Sequence, residues 1–112
     1  MAVKKTVLPV ILLAALAAPL AARAETPEFG IAIENHRFVP SELTVPAGKK
    51  LKLVIENRDA TPEEFESHDL RREKVIAGKS KVEVWVGPLE AGSYGFYGEY
   101  HEQTAEGRLI AK

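Results

Sequence analysis

Beyond its first two dozen residues the chain is a series of short runs in which apolar and polar positions alternate, each ended by a turn signal. Phe29-Gly30-Ile31-Ala32-Ile33 alternates, and Leu43-Thr44-Val45 is brief and stops at Pro46-Ala47-Gly48. Leu51-Lys52-Leu53-Val54-Ile55 has the period of a half-buried strand, with Lys50, Lys52 and Glu56 pointing outward. Val82-Glu83-Val84-Trp85-Val86 ends at Gly87-Pro88, and Tyr94-Gly95-Phe96-Tyr97 and Arg108-Leu109-Ile110 complete the set. Strands at this spacing, punctuated by proline and glycine, predict one all-β sandwich or barrel. Residues 71–76 fit a turn of helix that Gly78 would limit, and the charges of Arg71-Arg72-Glu73-Lys74 fit a solvated turn. Phe38, Phe65, Trp85 and Phe96 are the expected aromatic core.

The opening residues belong to a different class. Lys4 and Lys5 precede an almost wholly apolar run over residues 7–20, and Ala22-Arg23-Ala24 places small residues where a leader is cut. The run is about 14 residues, short of the roughly 20 that span a bilayer as a helix. Residues 1–24 are therefore expected to be a cleaved signal peptide, with residues 25–112 forming a single exported domain in the periplasm. Without Lys4, Lys5 and Arg23 the balance becomes 12 basic residues against 16 acidic, a net of −4 with neutral histidines. An acidic surface with scattered lysines argues against nucleic acid and for handling cations. The chain has no cysteine, so no disulfide supports the fold.

The densest motif is Gly92-Ser93-Tyr94-Gly95-Phe96-Tyr97-Gly98-Glu99-Tyr100-His101, followed by Gly107-Arg108-Leu109-Ile110. This closely resembles the end of a cupredoxin, in which an aromatic strand leads to a cysteine, then a histidine three residues beyond it, then a last strand. Phe38-Val39-Pro40 through Pro46-Ala47-Gly48 resembles the opening of that family, and Leu53-Val54-Ile55-Glu56-Asn57 its next strand with its usual asparagine. The resemblance implies a Greek-key β-sandwich. It also locates the usual copper ligands: Gly98 stands at the cysteine position, His101 at a histidine position and Ala105 near the methionine position. A gapless placement from Asn57 puts Glu63 where the first histidine sits, and a slip of one residue puts Glu64 there. A His2Cys site with a weak axial methionine makes blue copper, and this chain cannot build one.

The whole segment from Asp59-Ala60-Thr61-Pro62-Glu63-Glu64-Phe65-Glu66-Ser67 through Arg72-Glu73-Lys74-Val75, together with Gly98-Glu99-Tyr100-His101 and Thr104-Ala105, further resembles a periplasmic cupredoxin-like subgroup that accompanies bacterial ferrous-iron permeases. That likeness implies a protein that binds iron or copper as an accessory to iron uptake, with an inner-membrane iron permease or its periplasmic partner as associate. A ferroxidase-like activity is one form of that role, and plain binding of the ion is the favoured one.

The residues themselves supply candidates for the ion. Glu63, Glu64, Glu66 and His68 crowd one expected loop, and Glu99, His101 and Glu102 another. Strand alternation puts Glu64, Glu66 and His68 on one face with Phe65 turned to the core, while Glu99 and His101 share a parity. His36, just before Phe38, is placed to cap the same end of the sandwich. Carboxylate and imidazole donors form a hard set that suits Fe(II), Fe(III), Mn(II), Zn(II) or Cu(II) and disfavours Cu(I). The plainer reading makes Glu63 and Glu102 solvated charges and His68 an ordinary surface residue. Ser67, His68 and Asp69 are adjacent in sequence, the wrong arrangement for a hydrolytic triad. Two other functions remain open: a metal-free sandwich serving as an interaction module for a membrane partner, and a Cu(II) carrier without a thiolate.

Overall fold

The computed structural model describes residues 3, 4, 6 and 26–112. The expected leader over residues 1–24 lies outside the described residues except at those three positions. Nine strands follow in order: β1 Glu28–Glu34, β2 Arg37–Val39, β3 Glu42–Val45, β4 Leu51–Asn57, β5 Glu63–Ser67, β6 Arg72–Ile76, β7 Lys81–Val86, β8 Gly92–Gly98 and β9 Glu106–Ala111. They form two sheets, ordered β2-β1-β4-β7 and β3-β9-β8-β5-β6. β1 lies parallel to β4 and β3 parallel to β9, while the other pairs are antiparallel.

The all-β expectation holds, and alternation explains it strand by strand. On β4, Leu51, Leu53 and Ile55 are fully buried, while Lys52 and Val54 between them are only partly covered. Ile31 and Ile33 of β1, Val84 and Val86 of β7 and Leu109 of β9 close the space between the sheets. Phe38, Phe65 and Phe96 meet at its centre. Phe38 stands edge-on to the other two, with ring centroids 4.9 Å from Phe96 and 6.1 Å from Phe65. Such packing adds about 0.5–1.5 kcal/mol per pair beyond area burial.

Three expectations fail for identifiable reasons. Residues 71–76 are neither a helical turn nor a charged turn. They contain β6, an edge strand paired only with β5, from Glu63 opposite Ile76 to Ser67 opposite Arg72. Only Ile76 of β6 is buried, so the strand shows no alternation to read. The acidic stretch Glu63–Ser67, expected as a loop, is the inner partner of that hairpin, held between β6 and β8. Trp85 is not core: it is 40 % exposed, with the Lys50 and Lys52 ammonium groups 4.9 Å and 5.3 Å from its ring. Its parity on β7 is that of Lys81 and Glu83, so alternation placed it outside although its size suggested the core.

Two polar devices connect this frame to one end of the sandwich. Asn57, fully buried at the end of β4, donates its side-chain amide to the carbonyls of Thr61 (2.8 Å) and Ile76 (3.1 Å). It also accepts the Asp59 amide at 3.0 Å. The connection from β4 to Glu63 is thus shaped from within. At the same end, the Gly98 amide donates to the Ala105 carbonyl and the Ala105 amide to the His101 carbonyl, both at 2.8 Å. These bonds fold the β8–β9 connection into a tight loop around a single 3-10 turn, Glu99–His101.

Candidate metal centre

Glu63 begins β5, and its parity is that of Phe65 and Ser67, facing inward. Its side chain is therefore taken out of water, at 1 % exposure, and a carboxylate in such a place needs partners. It has three. Its Oε1 accepts the backbone amides of Tyr100 (2.8 Å) and Glu64 (2.9 Å), and Oε2 faces His101 Nδ1 at 2.5 Å.

The space for this carboxylate comes from Gly98. A Cβ at position 98 would lie 2.7 Å from Glu63 Cδ and 2.7 Å from the Ala105 Cβ. The backbone there, with φ −94°, suits any residue, so glycine is required by space and not by conformation. Glu63 thus fills the space that any side chain at 98, where the resemblance places a cysteine, would need, and Ala105, near the methionine position of that resemblance, is fully buried.

His36 completes the group. It sits in the two-residue turn between β1 and β2, and its ring stacks on His101 with centroids 3.6 Å apart and planes 13° from parallel. One ligand atom each from His36, Glu63 and His101 lie within 4.8 Å of one another. His36 Nδ1 is 3.5 Å from an oxygen of Asp59, which also accepts the amides of Asn35 (2.8 Å) and His36 (2.9 Å). Desolvation pulls the Asp59 pKa up, but the two amides and the nearby His36 outweigh it, leaving the carboxyl below its ordinary range.

Glu64, Glu66 and Glu99 gather separately, with one oxygen each within 4.8 Å of the others. The candidate set is therefore divided in two, Glu99 with Glu64 and Glu66 but His101 with Glu63 and His36. Two local facts divide it. Glu63 and Glu64 are neighbours on a strand and point to opposite faces. Glu99 and His101 lie on a 3-10 turn, which has three residues per turn, so positions two apart do not share a face as they would on a strand.

Crowded like charges define the second group. Desolvation, then the charges of Glu73 and Glu99 and contact with Glu64, raise the Glu66 pKa, and the charge of Glu64, then desolvation and Glu102, raise that of Glu99. Glu66 Oε2 is buried and finds no hydrogen-bond partner among the described residues. The Tyr97 hydroxyl is also pushed up, by desolvation and then by Glu66, Glu99, Glu102 and Glu64.

His68 joins neither group. It follows β5 at the far end from Glu63, roughly 16 Å along the strand at the usual rise, and its Nε2 lies 3.1 Å from the Tyr97 hydroxyl. Glu102 is exposed and lines a groove of about 930 Å³ along the outer face of β8 and β9, as does His68. Asp59 was not singled out from the sequence as a site residue, because no local pattern reveals that its carboxylate reaches back 23 residues to the turn at residue 36.

The donors present do not fit blue copper: there is no cysteine in the chain, and the thiolate's place holds a carboxylate. They do fit a harder ion, since two imidazoles and a carboxylate converge.

Comparison with known proteins agrees with this fold. An uncharacterised protein of Rickettsia prowazekii (strain Madrid E) is 43 % identical over 83 residues, which cover 74 % of this chain and 66 % of that protein, just under two thirds of its length. Among solved structures, auracyanin A, a blue copper protein from Chloroflexus aurantiacus, superposes with a TM-score of 0.68 at 18 % identity, covering 79 % of this chain and all of the other. Amicyanin from Paracoccus versutus gives 0.62 at 19 % identity, covering 82 % of this chain and 88 % of the other. A purple cupredoxin from Nitrosopumilus maritimus gives 0.58 at 19 % identity, covering 74 % and 98 %.

Two outcomes are expected of the site's architecture. Gly98→Ala drives a methyl into Glu63 and Ala105 and should destabilise the domain by about 1–3 kcal/mol, the usual result of overpacking; an unchanged melting temperature would contradict the packing described. Raised carboxyl pKa values mean that the folded state holds these protons more tightly than the unfolded one. The stability this gives is present below the ordinary glutamate pKa of 4.5 and is lost as pH rises through the raised value. Glu99→Gln should therefore raise the metal-free melting temperature at pH 7 and leave it unchanged near pH 3; a gain of equal size at both pH values would exclude charge repulsion as its cause.

The sequence matches the cupredoxin-like domain family over residues 6–111, and with the sandwich and its ligand-end loops in view, the chain belongs to that family.

Proposed function

We infer that this protein binds one first-row transition-metal ion, iron or copper, through His36, Glu63 and His101, and that it serves as a periplasmic accessory to iron uptake. The convergence of two imidazoles and one buried carboxylate at the end of a cupredoxin sandwich carries the reading. Two histidines and one carboxylate with open positions is a donor set used by non-haem Fe(II) centres. It is also hard enough to prefer Cu(II) to Cu(I). Copper would bind such donors more tightly than iron in a free competition, so the ion carried depends on supply as well as on the site.

Each residue has a separate task. His36 and His101 offer neutral nitrogen donors. Glu63 brings the negative charge that the resemblance assigns to a thiolate, and its Oε2 and the His101 Nδ1, 2.5 Å apart, are the donor atoms the two residues would offer to the ion. The carboxylates of Glu64, Glu66, Glu99 and Glu102 raise the local cation concentration beside the site. The periplasmic setting and the association with an iron permease rest on the leader-like opening residues and on the subgroup resemblance. Loading or unloading the ion, with no change in its oxidation state, is sufficient for this role.

The test is an anaerobic calorimetric titration of the purified protein with Fe(II), then separately with Cu(II), Zn(II) and Mn(II). One ion per chain should bind. An ion held at 100 times its dissociation constant should stabilise the fold by about 2.7 kcal/mol. His101→Ala and His36→Ala should each weaken binding by at least about 100-fold, the upper end of what loss of an outer-shell partner produces. Absence of saturable binding by every ion would contradict the reading and leave a metal-free interaction module.

A further inference from the structure

The turn that carries His36 is costly for this sequence. Asn35 and His36 have φ values of 50° and 59°, the left-handed pair that a two-residue hairpin between β1 and β2 requires. Asparagine tolerates this region; histidine does so less readily, and a strained position of this kind costs on the order of 1–3 kcal/mol and persists only where its surroundings fix it. Asp59 supplies that fixing: its two oxygens each accept one of the turn's amides, Asn35 at Oδ1 and His36 at Oδ2. The oxygen that holds the His36 amide also lies 3.5 Å from the ring nitrogen Nδ1.

Further bonds keep Asp59 itself in place. Its amide donates to Asn57 Oδ1 at 3.0 Å, and its carbonyl accepts the Lys79 amide at 2.9 Å. On the opposite side of the turn, the Thr104 hydroxyl donates to the His36 carbonyl at 2.6 Å, connecting the turn to the loop that carries His101. His36 is therefore gripped through its amide, its carbonyl and its ring, by groups outside its own hairpin.

We propose that Asp59 is the positioning residue for His36: by clamping both amides of the turn and facing Nδ1, it holds the imidazole against His101 so that both rings serve one ion. The inference rests on the metal reading above, and its test separates the two. Cu(II) is the probe. Pulsed electron paramagnetic resonance counts the coordinated imidazoles, calorimetry measures affinity, and both are applied to the unsubstituted protein, Asp59→Asn, Asp59→Ala and His36→Ala. The unsubstituted protein should show two imidazoles. Both Asp59 variants should bind about 10–100-fold more weakly, the range for loss of an outer-shell partner, and show one imidazole, as His36→Ala does.

Asparagine keeps a single acceptor and nearly the same volume, so Asp59→Asn decides the matter if Asp59→Ala does not fold. A purely structural role for Asp59 would lower the melting temperature while leaving two imidazoles on the copper, and that result overturns the proposal alone. Fewer than two imidazoles in the unsubstituted protein with copper bound also overturns it. No copper binding by the unsubstituted protein overturns the metal reading, and this inference with it.

Discussion

Burying an ionisable carboxylate is among the more expensive things a small domain can do, and Glu63 is tolerated because each of its oxygens has a partner. Its position follows from the register of β5 between β6 and β8, which turns residue 63 inward at the strand's first position. Glycine at 98 leaves the volume, the 3-10 turn presents the Tyr100 amide, and the His101 ring closes the other side. The end of the sandwich is thus arranged around one side chain. Removing one partner of such a pair typically costs about 3–5 kcal/mol, because the remaining group is stranded.

A cysteine side chain and the Glu63 carboxylate cannot occupy the same space, since even a methyl at 98 would lie within 2.7 Å of Glu63. Gly98 and Glu63 therefore depend on each other, and on the proposed reading the site offers hard oxygen and nitrogen where the resemblance places soft sulfur. The fold alone does not decide what such a site does; the donor set does, and here it suits ions that prefer oxygen and imidazole.

Much of this was readable in the residues. Six of the nine strands follow from two-residue alternation bounded by proline and glycine, and His101 and the absent thiolate follow from the C-terminal motif. The strands that escaped were those with little contrast: β6 has one buried residue, β5 has acidic side chains on both faces, and β2 has only three residues. The grouping of the site's residues was less legible. Parity was the right tool for Glu64 and Glu66, but it also applied to Glu63, which it sends inward. It did not apply to Glu99 and His101, where the chain leaves the strand for a 3-10 turn. Asp59 and Thr104 act across 23 and 68 residues of sequence, and no local pattern encodes contacts of that range.

We propose that the ion sits between His36, Glu63 and His101. The most direct measurement is anomalous diffraction from crystals grown anaerobically with Fe(II), collected on both sides of the iron absorption edge. One strong iron peak per chain is expected, bounded by the two imidazoles and the Glu63 carboxylate. Iron found only among Glu64, Glu66 and Glu99, or no ordered iron at all, would contradict it.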